Sequence, residues 1–217
     1  MLSMTFNFYT QKNNTNNMTN LIIISGVSRC GKTQLASQLV KKGCKQVNFV
    51  VISGDAIING LLRGLPNKDF VQYNNKHHSK DKNYDYIKGF LVEYIKVIDG
   101  HYSNIILESE LLTPYNWLDF KNSIQDLGFN LIYVALVQAR TTTTQKLKIY
   151  SKNPQKLGWM SVYDSTELER VTNDHLLLCQ KVKQDCIDQS LTYFDTSFYF
   201  QKTINQAQKW ILQQLKN

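Results

Sequence analysis

The chain has 217 residues and a formal net charge of +8 at pH 7. That length is enough for one α/β domain with a buried sheet and too short for two comfortable ones. No apolar run reaches the roughly eighteen residues of a transmembrane helix, and the Asn-rich start lacks the basic and apolar regions of a secretory signal, so no membrane association is expected and the expected compartment is the cytoplasm.

Residues 1–19 are rich in Asn and Thr and read as a flexible tail, with Met18 as an alternative start. Leu21-Ile22-Ile23-Ile24 is a continuous apolar run, the pattern of a strand buried on both faces. A helix over 32–42 follows, with Leu35, Leu39 and Val40 on one face, then a strand over 47–52. Ile87, Leu91, Tyr94 and Ile98 predict the buried face of a helix over 84–98. A third strand spans 104–107, and Trp117, Phe120, Ile124 and Leu127 mark the next helix. A fourth strand spans 131–137. A long helix over 166–187 carries Leu168, Val171, Leu178 and Val182. A short strand at 191–194 precedes a last helix with Phe200, Ile204, Ala207, Ile211 and Leu215.

This alternation predicts an α/β domain over 20–217: a five-stranded parallel sheet with helices on both faces. Two polar, Lys-bearing stretches break the rhythm and read as irregular. Residues 56–83 are a candidate substrate-binding insertion and residues 141–165 a candidate lid. Cys30, Cys44, Cys179 and Cys186 form no CxxC pair and no zinc spacing, so buried thiols are expected. The basic surplus favours anionic partners, either nucleic acid or small phosphorylated molecules. No acid precedes Asp55, and none lies between Asp126 and Asp164.

Gly26-Val27-Ser28-Arg29-Cys30-Gly31-Lys32-Thr33 matches GxxxxGK[ST] between an apolar strand and an amphipathic helix. Glycines let such a loop curl so that successive N–H groups face phosphate oxygens, and the helix N-terminus adds positive charge. The expected nucleotide contacts are Gly26, Ser28, Arg29, Cys30, Gly31, Lys32, Thr33 and Gln34. Lys32 should reach the β- and γ-phosphates of ATP or GTP, and the Thr33 hydroxyl should ligate Mg²⁺.

Asp55, after the second strand, can accept a proton from an attacking hydroxyl or can cap a helix over 56–62. Glu108, ending the third strand, can hold Mg²⁺ with Thr33 or orient substrate, whereas Glu110 reads as a loop residue. Arg63 can clamp an anionic acceptor or lie on the surface. Arg140 opens a segment with Lys146, Lys148, Lys152 and Lys156, and is the candidate cation for transferring phosphate; Arg170 is assigned to the lid hinge. His77 and His78 have no ligand partners nearby, and His101 and His175 read as structural or exposed. No Ser-His-Asp or Cys-His arrangement is present.

In these motifs, and over residues 20–215, the sequence resembles the small-molecule kinases of the P-loop superfamily, in the adenylate-kinase-like and shikimate-kinase-like group. The carriers are residues 26–33, Ser53-Gly54-Asp55, the strand ending at Glu108, the basic stretch near 140–160 and Tyr193-Phe194-Asp195-Thr196-Ser197. The loop is similar to the Gly-x-Ser-Arg-Ser-Gly-Lys-Ser loop of a set of bacterial kinases. The resemblance implies that Thr196 and Ser197 border the adenine. It departs in the lid, which lacks paired arginines, and in the first insertion, which lacks a nucleotide-monophosphate signature. No NKxD motif for guanine occurs, which favours ATP. The expected function is an ATP-dependent, Mg²⁺-assisted phosphotransferase acting on a small-molecule hydroxyl or phosphate, as a monomer or homodimer; a base at Asp55 favours a hydroxyl. A polynucleotide 5′-hydroxyl kinase and a nucleotide-binding switch are the alternatives, with nucleic acid the less favoured partner.

Overall fold

The computed structural model describes residues 18–43, 48–57, 60, 82–154 and 158–215. Five strands, β1 (Asn20–Gly26), β2 (Phe49–Ser53), β3 (Asn104–Ser109), β4 (Asn130–Val137) and β5 (Tyr193–Asp195), pair in the order β2-β3-β1-β4-β5. Every pairing is parallel. The helices are α1 (Lys32–Gly43), α2 (Lys82–Ile98), α3 (Pro114–Ile124), α4 (Thr143–Lys152), α5 (Ser165–Asp188) and α6 (Phe200–Gln214). None of the described helices is long and apolar enough to cross a membrane.

β1 lies at the centre, and its run Leu21–Ile24 has no exposure at all, as a doubly covered strand requires. α1 packs with α6, while α2 packs on α3 and α3 on α5. The helices bury stripes at helical spacing: Leu35 and Leu39 in α1, Trp117, Phe120 and Ile124 in α3, and Ile204, Ala207 and Ile211 in α6. At the N-terminal ends of the strands, Asn20 donates from Nδ2 to Asn104 Oδ1 at 2.9 Å, and Asn130 Nδ2 donates to Asn20 Oδ1 at 2.6 Å. The same residues are register partners, so this amide ladder holds β3, β1 and β4 in alignment.

The connection leaving β1 runs toward the β2 edge and that leaving β3 runs toward β4, so the crevice between the carboxyl ends of β1 and β3 is a topological switch point, where open α/β sheets bind ligands.

Several expectations need correction. Tyr94 is exposed and Ile95 is fully buried, because α2 packs through Ile87, Leu91 and Ile95 at intervals of four. β3 continues to Ser109, so Glu108 is a strand residue paired with Ile24 and Ser53. β5 starts at Tyr193 rather than 191. The described residues of the stretch 141–165 are largely regular. It holds α4 and a 3₁₀ turn over Gly158–Val162. α4 begins at a capping box in which Thr142 accepts from the Gln145 backbone and Gln145 reaches back to the Thr142 N–H. Most of the insertion 56–83, with Arg63 and both His77 and His78, lies outside the described residues, as do most of the tail, Cys44 and Lys156.

Candidate phosphate-binding site

β1 ends in Gly26, where φ is 131° and a Cβ would sit 2.1 Å from the Leu136 carbonyl oxygen of β4. Only glycine satisfies both demands. The loop then turns through Arg29 in the left-handed region at φ 65° and Gly31 at φ 106°. A Cβ on Gly31 would press against Ile204 and Phe200 of α6, so the loop is wedged between β4 and the last helix. The Arg29 guanidinium lies over the Tyr150 ring of α4 at 5.7 Å. α1 starts at once with Lys32, and the free N–H groups of its first turn carry partial positive charge toward the loop.

Lys32 is buried. Its Nζ donates to the Gly26 and Val27 carbonyls at 3.0 and 3.3 Å, bonds Glu110 Oε1 at 3.3 Å, and lies 3.7 Å from Asp55 Oδ2. Burial pulls this ammonium's pKa down, but Glu110 and Asp55 outweigh burial and hold it above the ordinary lysine value. Glu110, which reads as a loop residue and lies just past β3, is also a direct partner of the loop lysine. The signal that could have found it is its place two residues past Glu108, just beyond the end of β3.

Asp55 sits inside a helical turn over 54–57, not at its cap. Its Oδ1 accepts from the Glu110 backbone N–H at 3.0 Å and the Ser109 hydroxyl at 3.3 Å. Gly54 permits this approach, since a Cβ there would lie 2.7 Å from Ser109 Cβ. Burial raises the Asp55 pKa; Lys32 pulls it down, Glu110 pushes it up, and the net position is above the ordinary carboxylate value.

The Thr33 hydroxyl donates to Glu108 Oε1 at 3.2 Å. The other oxygen, Glu108 Oε2, is buried with no hydrogen-bond partner among the described residues. A hydroxyl and an unspent buried carboxylate oxygen are the hard donors that Mg²⁺ takes, so these residues fit that ion.

A second group forms beside β5. Arg140 Nε bonds Asp195 Oδ2 at 3.0 Å, its backbone N–H donates to Ser197 Oγ at 3.0 Å, and its guanidinium lies over Phe198 at 5.2 Å. Thr196 does not present its hydroxyl outward: the residue is buried, with Oγ1 3.1 Å from both the Cys30 and Val137 carbonyls. It braces the underside of the loop. Gln34 reaches Gln201 of α6 at 2.9 Å, on the exposed side of α1. Cys30 is fully buried and its sulfur lies 3.5 Å from that of Cys179, so among its groups the side chain serves the interior. Arg170, assigned to the lid hinge, pairs with Glu167 and Asp174 of its own helix. His101 is exposed and His175 half-buried. No cluster of three metal-ligating side chains of the His, Cys and acidic types occurs among the described residues.

No protein-family model matches the chain, and no curated protein matches it. Solved structures do. A "putative kinase" from Chloroflexus aurantiacus is 19% identical with a TM-score of 0.57, over 93% of this chain and 98% of that one. A gluconokinase from Sinorhizobium meliloti is 11% identical with a TM-score of 0.54, over 93% of this chain and 96% of that one. At these identities the likeness defines the fold. The chain shares the P-loop fold of these structures, a parallel five-stranded sheet covered by helices on both faces.

Proposed function

We propose that this protein is an ATP-dependent kinase that transfers the γ-phosphoryl group to a hydroxyl of a small molecule. The observation that carries the reading is Asp55, a carboxylate held beside the loop lysine by Ser109 and the Glu110 N–H, and pushed toward higher pKa. A base is of use when the acceptor is a hydroxyl and superfluous when it is a phosphate. The gluconokinase among the structural neighbours accords with this choice.

In this reading the loop N–H groups and the first turn of α1 bind the β- and γ-phosphates. Lys32 leaves the Gly26 and Val27 carbonyls for the phosphate oxygens, so its charge is already desolvated when the phosphoryl group moves. Thr33 and Glu108 would hold Mg²⁺, which supplies charge neutralisation across the phosphates. Asp55 orients the acceptor hydroxyl and takes its proton. Arg140, expected at the transferring phosphate, is bonded to Asp195 and Ser197 beside β5 and in this reading borders the base end of the nucleotide with Ser197, while α4 with its following turn is the lid that excludes water.

The test is ATP consumption against a panel of sugars and sugar acids, nucleosides, nucleoside monophosphates and single-stranded oligonucleotides, with the Asp55→Asn variant alongside. Turnover with a hydroxylic small molecule, lost in the variant, supports the proposal. Turnover confined to nucleoside monophosphates and insensitive to Asp55→Asn refutes the hydroxyl acceptor, and turnover confined to oligonucleotides replaces it with a polynucleotide kinase.

A further inference from the structure

The sulfurs of Cys30 and Cys179 lie 3.5 Å apart although 149 residues separate them in sequence. Both are buried free thiols. Cys30 belongs to the phosphate loop, and its carbonyl is gripped from below by Thr196. Cys179 stands well inside the 24-residue α5. A small cavity lined by Ser28, Gln138, Lys146, Tyr150 and His175 reaches Cys179. Lys146 bonds Gln138 Oε1 and lies over the Tyr150 ring. The cavity therefore joins a thiol to an ammonium and a polar lining.

We propose that Cys30 and Cys179 are a redox pair, and that oxidation by a small peroxide entering this cavity ties the phosphate loop to α5 and weakens nucleotide binding. The loss of binding rests on the phosphate-holding role proposed above; the pairing does not.

The two thiols are unequal. The hydrogen bond to Cys179, and then burial, push the Cys30 pKa well up, so Cys30 keeps its proton. That same bond holds Cys179 below the ordinary thiol value against burial, aided by the Gln138 backbone and the Lys146 ammonium. Cys179 is accordingly the thiol that gives up its proton the more readily and attacks as thiolate. Its sulfur takes one oxygen from hydrogen peroxide as the O–O bond breaks, giving a sulfenic acid and, with a proton, water. Cys30 then attacks that sulfur, the S–O bond breaks, and the thiol proton leaves with hydroxide as a second water. Two thiols and one peroxide give one disulfide and two waters.

Closing the gap from 3.5 Å to the about 2.05 Å of an S–S bond requires movement of well over an ångström. α5 is a continuous helix with every turn bonded, so the loop takes most of that movement. Loop N–H groups displaced by about 1 Å lose their aim at phosphate oxygens, and errors of that size cost up to about 100-fold.

The experiment treats the full chain with hydrogen peroxide, alkylates remaining thiols under denaturing conditions, maps the peptides, and measures affinity for a fluorescent ATP analogue. The expected result is a Cys30–Cys179 linked peptide and at least a roughly tenfold loss of affinity, both reversed by dithiothreitol. Cys186, whose thiol burial pushes up to about 12, should stay alkylatable. Cys179→Ala, or the volume-filling Cys179→Val if alanine disturbs α5, should bind the analogue equally before and after peroxide. Recovery of both thiols in alkylated form, sulfinic acid on Cys179 without a link, or a link with unchanged affinity would overturn the proposal. The map reads the pair even in a chain that binds no ATP analogue, so failure of the kinase reading is told apart from failure of the redox pair.

Discussion

Lys32 draws together most of the candidate site: two loop carbonyls and two carboxylates meet at its ammonium. In the proposed function, this arrangement holds the charge where phosphate needs it. Lys32→Ala should lower turnover by roughly 10³-fold or more, the scale of other transition-state cations, while the chain still folds because Asp55 and Glu110 both reach water. Steady-state ATPase or kinase assays with circular dichroism of the variant check both halves. Asp55 supports a pH prediction. Its folded pKa is raised, so its neutral form stabilises the fold below the ordinary carboxylate range, and that contribution is lost as pH rises through the folded value. Asp55→Asn should therefore be inactive yet melt slightly above wild type at pH 8, with the gap narrowing as pH falls toward 4. A variant that melts below wild type throughout would show that the charge stabilises the apo fold. Much of this site was legible in the sequence, because the loop motif and the two strand-end acids are local patterns. Glu110, the Thr196 brace and the Cys30–Cys179 contact were not, since each depends on where distant strand ends and helices meet.

Among the elements, α4 shows how a readable signal can be passed over. Thr142 and Gln145 have the spacing of a capping box, and the lysines that suggested an irregular stretch lie mostly along the helix. Continuous apolar runs identified the strands, but β3 runs two residues past its apolar run because Glu108 and Ser109 are buried polar residues that pair in the sheet. The regular structure of α4 sharpens the lid proposal into a rigid-body movement. Adding a non-hydrolysable ATP analogue with acceptor should slow amide exchange across residues 141–165 as well as in the loop; protection confined to the loop would leave α4 as fixed scaffold. The amide ladder at the opposite end of the sheet gives a stability test. Asn20→Ala breaks two hydrogen bonds and strands the buried Asn104 amide, so unfolding free energy should fall by about 1–3 kcal/mol, measurable by urea denaturation.

For the whole molecule, ligand binding and stability are linked. If the loop holds ATP with Mg²⁺, a hundredfold excess over the dissociation constant should add about 2.7 kcal/mol and raise Tm by roughly 5–10 °C, an effect that chelation of the metal should largely erase. The position of β1 has a consequence for how the chain is made. The central strand carries four successive apolar residues with no solvent exposure, and its partners lie 84 and 110 residues downstream. At roughly 5–20 residues per second, the ribosome needs on the order of 5–20 s after β1 to deliver β4. During that interval a strongly apolar, β-forming segment has at most one neighbour to pair with, and non-local parallel pairing closes slowly even once the partners exist. Chains cut off before Asn130 should be recovered in the insoluble fraction or bound to chaperones, so the strand that launches the phosphate loop is also the one that makes this protein depend on finishing its synthesis.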